Sequence, residues 1–75
     1  MTNYDEIIES LAELEHEQWM TWAQHLTLEG SVDRYTALGW STLFIPYADL
    51  SEDMKEKDRV WARKVLARLT KAGVL

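Results

Sequence analysis

Two stretches of this chain have the hydrophobic spacing of long α-helices, and each carries a carboxylate within its apolar stripe. At about 100° per residue, Glu15 falls near the middle of the first stripe and Asp58 near the middle of the second. The neighbours of Glu15 are Ile8, Leu11, Trp19, Trp22 and Leu26, and those of Asp58 are Met54, Trp61, Ala62, Val65 and Leu69. Burying a carboxylate is costly unless it finds a partner, so each acid indicates either a structural hydrogen bond or a recognition site.

The sequence predicts three helices. The first covers about 4–26, with Thr2 or Asn3 as its cap, and ends at a glycine. The second covers about 32–38, or a little beyond, after a Ser31 cap. The third covers 52 to about 71 and begins with a serine followed by two acids, which suits the positive end of a helix dipole.

The centre of the chain is predicted to connect these helices without a strand. Gly39 should weaken or end the second helix. Residues 40–47 are then a helix end or an extended buried connector, because Pro46 pushes Ile45 towards an extended conformation. A short turn over 47–50 follows. The predicted fold class is all-α: a small bundle of three to four helices with a central Pro-containing connector.

Size and charge exclude several classes of protein. Residues 1–75 are expected to form a single domain with a small core and no disulfide, since there is no cysteine. Neither a secretory signal nor an apolar run long enough to span a membrane is found, so a cytoplasmic location without membrane partners is expected. The net charge of −5 argues against binding to nucleic-acid polymers.

Charge is unevenly distributed along the chain. Residues 1–33 hold eight acids and no Lys or Arg, whereas 55–75 hold seven bases against Glu56 and Asp58. The simplest interpretation is two helices that lie side by side with complementary edges. The alternatives are a cationic surface for an anionic small molecule, or head-to-tail contact between subunits. Surface ion pairs are weak, so charge alone does not choose among these.

Metal binding and catalysis receive little support. His16 and Glu17 do not complete a His-Glu-x-x-His motif, because Met20 stands at the second histidine position. His16 by itself is better interpreted as an imidazole that hydrogen-bonds a carboxylate or backbone carbonyl. Glu15 and Asp58 together could perform acid–base chemistry, but no nucleophile setting or phosphate loop accompanies them. We therefore predict no enzyme activity, no metal and no cofactor.

The stretch 46–59 is the most distinctive part of the chain. Lys55, Asp58 and Arg59 are expected to share roughly one side of the third helix, and Tyr47 lies on the turn that leads into it. Cations for phosphate, a carboxylate for ribose or base donors, and aromatic faces for stacking suit a nucleotide. The alternative is a capped amphipathic helix with a solvated charged edge.

These residues resemble the ryanodine-receptor repeat (RyR) domain, particularly its short stand-alone phage and bacterial forms. The resemblance covers about residues 7–73. It rests on His16 and Trp19, on Pro46-Tyr47-x-x-Leu50-Ser51-Glu52, on Lys55-x-x-Asp58-Arg59 and on the closing Leu69-Thr70-Lys71-Ala72-Gly73-Val74. The chain departs from the channel repeats in its shorter 22–40 segment and its single copy, so channel function is not implied.

The resemblance implies a ligand-sized groove between the first helix and residues 46–59, and a nucleotide-derived ligand. We expect binding without catalysis, as in a phage sponge that sequesters a cyclic nucleotide or ADP-ribose derivative in the host cytoplasm. Homo-oligomers are expected, because pockets at interfaces ease capture by so small a chain. The alternatives are a module that binds a host protein, and an enzyme acting on a nucleotide. The expected ligand-binding residues are Glu15, His16, Trp19, Trp22, Tyr47, Lys55, Asp58 and Arg59.

Overall fold

Three α-helices and one short 3₁₀ helix make up the described part of the chain. The computed structural model describes residues 3–75, in which α1 spans Asn3–Leu28, α2 spans Arg34–Ser41 and α3 spans Glu52–Lys71. The 3₁₀ helix spans Tyr47–Asp49, and no strand forms within the described residues. The predicted all-α fold is confirmed.

Glycines end the two long helices, as the sequence predicts for α1. Gly30 has φ +74° and Gly73 has φ +79°, the left-handed conformation that glycine adopts without steric cost. The Ser31 amide reaches back to the Leu26 carbonyl at 3.0 Å, and the Val74 amide to the Leu69 carbonyl at 3.0 Å. These bonds satisfy carbonyls that the helix ends leave free.

The beginning of α2 differs from the prediction. Asp33, not Ser31, is the cap, because its carboxylate accepts the Thr36 amide proton at 2.8 Å. The predicted start at Val32 is therefore two residues too early. Gly39 lies inside the helix, which continues to Ser41. Of the two caps predicted for α1, Thr2 lies outside the described residues and Asn3 is already helical. The Ser51 cap of α3 is confirmed.

The long helices α1 and α3 pack side by side in opposite directions. Tyr4 at the start of α1 lines a groove with Lys71 at the end of α3, while His16 lies beside Asp58 near the start of α3. Ala12 and Ala62 are fully buried in the core between the helices, since their small side chains permit a close approach.

The connector completes the core at one side of the helix pair. Tyr47 and Leu50 are buried together with the two alanines, and Ile45 packs against them. The molecule measures 43 × 24 × 14 Å, so it is thin in one direction. Because the helices form a thin layer that can bury few side chains, many apolar side chains stay exposed. Among them are Leu14, Trp22, Tyr35, Leu38 and Trp61. Within residues 3–75, no helix is both long enough and apolar enough to cross a bilayer.

Candidate ligand-binding site

A cavity of about 420 Å³ lies where α1, α2 and the start of α3 meet. This volume is within the range of small-molecule sites, roughly 300–1,000 Å³. Its wall comes from three places in the sequence, which local spacing does not bring together. The lining residues are Glu15, His16, Trp19, Trp40, Leu43, Met54, Lys57, Asp58 and Trp61.

Packed aromatic rings hold one wall of the cavity in place. The rings of Trp19 and Trp40 meet edge to face with centroids 6.0 Å apart, and Phe44 lies 5.8 Å from Trp19. Trp22 lies 5.6 Å from Trp40. Edge-to-face and tilted pairs at such distances are favourable beyond simple burial. Trp22 therefore supports Trp40 from outside, and it does not itself line the cavity.

His16 joins the cavity wall to the connector. Its ring is 4% exposed and lies parallel to Trp19, with centroids 6.0 Å apart and planes at 19°. The Nε2 atom lies 2.7 Å from the Ile45 carbonyl oxygen. A carbonyl can only accept, so Nε2 carries the proton and donates it. This contact agrees with the interpretation of His16 as a hydrogen-bonded structural imidazole.

The two carboxylates predicted to be unusual both line this cavity. Asp58 Oδ2 lies 3.9 Å from His16 Nδ1, which is beyond hydrogen-bond distance. Burial raises the pKa of Asp58, and the negative charge of Glu15 raises it further, while His16 opposes the shift. Among residues 3–75, neither carboxylate accepts a protein hydrogen bond. Each is half-buried and faces the cavity with its oxygens available to a guest.

The lysines near the cavity differ in what they contact. Lys57 lines it and is exposed. The Lys64 ammonium lies 4.2 Å from the ring centroid of Trp61, a cation–π contact, although Lys64 does not line the cavity. Trp61 itself is 58% exposed and forms the outer edge of the site.

Tyr47 and Arg59 belong to a second cluster that is built around Glu9. Arg59 donates from Nε and Nη2 to the two Glu9 oxygens, at 2.7 Å each, and from Nη1 to Glu52 at 2.9 Å. The Tyr47 hydroxyl donates to Glu9 at 3.0 Å. This interhelical pair supports the interpretation that the acidic and basic segments complement each other. The hydrogen bonds from Arg59 hold the pKa of Glu9 below its ordinary value, and burial, with Glu9 as acceptor, raises the pKa of Tyr47 to about 12.

Lys55 is also placed in this second cluster. Its ammonium lies 3.5 Å from Glu52 and 5.7 Å from the centroid of the Tyr47 ring. Lys55, Asp58 and Arg59 follow the i, i+3, i+4 spacing of one side of α3, but they do not form one site: Asp58 lines the cavity, whereas Lys55 and Arg59 contact the Glu9 cluster. Asp58 and Arg59 are adjacent, so their side chains point about 100° apart and flank the buried Ala62 on opposite sides.

The structure thus divides the eight predicted binding residues. Glu15, His16, Trp19 and Asp58 line the cavity, Trp22 supports it, and Tyr47, Lys55 and Arg59 lie in the Glu9 cluster. Cavity residues that were not predicted to bind are Trp40, Leu43, Met54, Lys57 and Trp61. A signal for part of this set existed, because positions 54, 57, 58 and 61 follow the i, i+3, i+4, i+7 spacing of one helix face.

In the part of the chain that the structure describes, no three His, Cys, Asp or Glu side chains converge to hold a metal ion. Comparison of the chain with protein-family models, curated proteins and solved structures gives no match.

Proposed function

We propose that this chain is a non-catalytic binding domain of the RyR type that captures a small nucleotide-derived molecule. The supporting observation is the 420 Å³ cavity, in which indole rings lie beside two carboxylates that accept no hydrogen bond from residues 3–75. Binding sites of this kind combine apolar walls with a few polar groups that fix the orientation of the ligand.

The cavity suggests a role for each part of a nucleotide. A base stacks on the indoles of Trp19, Trp40 or Trp61, since every base offers a flat π face. The carboxylates of Glu15 and Asp58 accept hydrogen bonds from base or ribose donors. Phosphate, which remains outside, meets the exposed ammonium of Lys57. Arg59 is a weaker candidate for phosphate than the sequence suggested, because two carboxylates already occupy its donors.

The ligand is proposed to leave unchanged. The cavity lining includes no serine, threonine or cysteine among the described residues, and His16 uses its Nε2 proton on a backbone carbonyl. A binder without turnover suits a sponge that sequesters a defence messenger, a cyclic nucleotide or an ADP-ribose derivative, in the host cytoplasm if the chain is encoded by a phage. Chromatography of the ligand after incubation with the protein tests this point, and a chemically altered ligand would contradict it.

We also propose that the protein acts as a homo-oligomer. The molecule is only 14 Å thick, and Leu14, Tyr35 and Leu38 are among its exposed apolar side chains. A second copy would cover such surface and could close the open side of the cavity. Native mass spectrometry reports both the number of subunits and any small molecule that is carried along. A monomer at all protein concentrations would contradict this part of the proposal.

Calorimetry tests the binding proposal against a panel of cyclic dinucleotides, cyclic mononucleotides and ADP-ribose derivatives. Trp61→Leu, which removes one indole from the cavity edge, should weaken binding by about tenfold or more. Tyr4→Leu is the matched control, because Tyr4 is an exposed aromatic residue that lies outside the cavity. If no member of the panel binds at high micromolar concentration, the proposal fails.

A protein-interaction module is the second candidate, and exposed tryptophans favour it. Trp22 is 53% exposed and Trp61 is 58% exposed, and tryptophan is enriched among residues that dominate binding energy at interfaces. In this case Trp22→Leu should abolish retention of one host protein in a pull-down. The double variant Glu15→Gln, Asp58→Asn should leave that retention intact, whereas it should weaken capture of a small ligand.

A further inference from the structure

The lining of the cavity also indicates the charge of its guest. We infer that the group held inside the cavity is an organic cation, such as a positively charged ring or a quaternary ammonium. This inference deepens the proposed function and rests on it for the nucleotide nature of the ligand. Three properties of the described residues carry it: the indole faces, the carboxylates and the placement of the basic side chains.

Three indoles line one small space, those of Trp19, Trp40 and Trp61. The face of an aromatic ring carries the negative end of its quadrupole, and tryptophan attracts cations most strongly among the aromatic residues. Trp61 already shows such a contact, since the Lys64 ammonium lies 4.2 Å from its ring centroid. Grouped aromatic rings of this kind are typical of sites that hold alkylated ammonium groups.

Two carboxylates share the same space without a strong partner. Among residues 3–75, the basic side chain paired with Asp58 is His16, whose Nδ1 lies 3.9 Å from the carboxylate, and this imidazole donates to Ile45 from its other nitrogen. Glu15 forms no ion pair within residues 3–75. Two negative groups that face one partly desolvated cavity repel each other, and a cation placed between them relieves this repulsion.

The positions of the basic residues do not favour an anionic guest inside the cavity. Arg59 is engaged by Glu9 and Glu52, and Lys55 lies beside Glu52. Of the described residues that line the cavity, Lys57 is the only Lys or Arg, and it is exposed. A phosphate inside the cavity would therefore face two carboxylates and one ammonium. A nucleotide with a cationic base avoids this conflict, because its charged ring enters and its phosphate remains near Lys57 in solvent.

A matched pair of nucleotides separates charge from shape. Methylation at N7 gives the guanine ring a positive charge while changing its outline by one methyl group. By calorimetry, 7-methylguanosine 5′-monophosphate should bind at least about tenfold more tightly than guanosine 5′-monophosphate. In the variant Glu15→Gln, Asp58→Asn this ratio should fall close to one. Glu13→Gln, an exposed acid on the same helix, should keep the ratio of the unmodified protein.

A second pair of probes lacks the nucleotide. Choline and its neutral isostere 3,3-dimethylbutan-1-ol differ in charge and hardly in shape, so preferential binding of choline supports the cationic guest. If choline is preferred and neither nucleotide binds, the cation inference stands and the nucleotide proposal fails for these probes. If the uncharged nucleotide base binds as well as the methylated one, the cavity is a nucleotide site and the cation inference is overturned. If all four probes fail to bind, both are overturned.

Discussion

Replacing His16 by phenylalanine should remove the hydrogen bond between the first helix and the connector while keeping a ring that packs on Trp19. The substitution retains a flat side chain at a site that is 4% exposed, and it removes the donor that lies 2.7 Å from the Ile45 carbonyl. That carbonyl precedes Pro46, so it anchors the segment that brings Leu43 to the cavity and Tyr47 to the core.

The magnitude follows from the burial of the two partners. A buried acceptor that loses its donor costs about 1–3 kcal/mol. The donor side is buried, but Ile45 is only half-buried, so water can partly replace the imidazole at the carbonyl. We therefore expect a loss of about 1–2 kcal/mol in the free energy of unfolding. For a domain of this size, such a loss lowers Tm by roughly 4–16 °C.

Urea unfolding followed by circular dichroism measures this loss, and His25→Phe provides the control. The His25 side chain is 73% exposed and lies 3.2 Å from the carboxylate of Glu29, just past the end of α1, so its replacement should change the free energy of unfolding by less than about 0.5 kcal/mol. If the two variants lose equal stability, or if His16→Phe is neutral, the His16–Ile45 hydrogen bond does not hold the connector and the reasoning is refuted.

Three further predictions concern charge and helix ends. The hydrogen bonds from Arg59 lower the pKa of Glu9. The stabilisation from this ion pair is therefore complete above the ordinary pKa of 4.5 and is lost as the pH falls through the pKa that Glu9 has in the folded protein. Glu9→Gln should flatten the acid side of a curve of unfolding free energy against pH. Burial raises the pKa of Asp58. Its contribution to the stability of the folded protein is therefore present below the ordinary pKa of 3.8 and is lost as the pH rises through the pKa that Asp58 has in the folded protein. Asp58→Asn should raise Tm at pH 7, and a lower Tm would contradict this sign. Gly30→Ala should cost about 1–2 kcal/mol because φ is +74°, whereas Gly39→Ala, inside α2 with open space around it, should stabilise by about 0.5–1 kcal/mol in the same urea experiment.

The sequence predicted the long helices well because the signals that set them are local. Hydrophobic spacing, the Ser51 cap and the two left-handed glycines act within a few residues of where they stand. The second helix was less predictable. Asp33 competes with Ser31 as a cap, and Gly39 stays helical in a segment that Trp40 anchors against Trp19 and Trp22. Tertiary packing of this kind overrides a propensity difference of about 1 kcal/mol.

The candidate site was predicted in part. The sequence places Glu15 and Asp58 on the apolar stripes of two helices. Because the stripes of neighbouring helices face each other, both side chains reach one cavity. The same reasoning did not separate Asp58 from Arg59. Their directions differ by about 100°, and the boundary between cavity and ion-pair cluster falls between them.

By itself, the sequence determined an all-helical chain, the ends of its long helices and two acids that required an explanation. Only the tertiary structure decided which side of α3 meets the tryptophans, and hence that Glu9 neutralises Arg59 while Glu15 and Asp58 face an open cavity. The physical reason is the range of the interactions. Caps and hydrophobic spacing act within a turn or two, whereas Glu9 and Arg59 are fifty positions apart and meet only because the antiparallel helices close over Ala12 and Ala62.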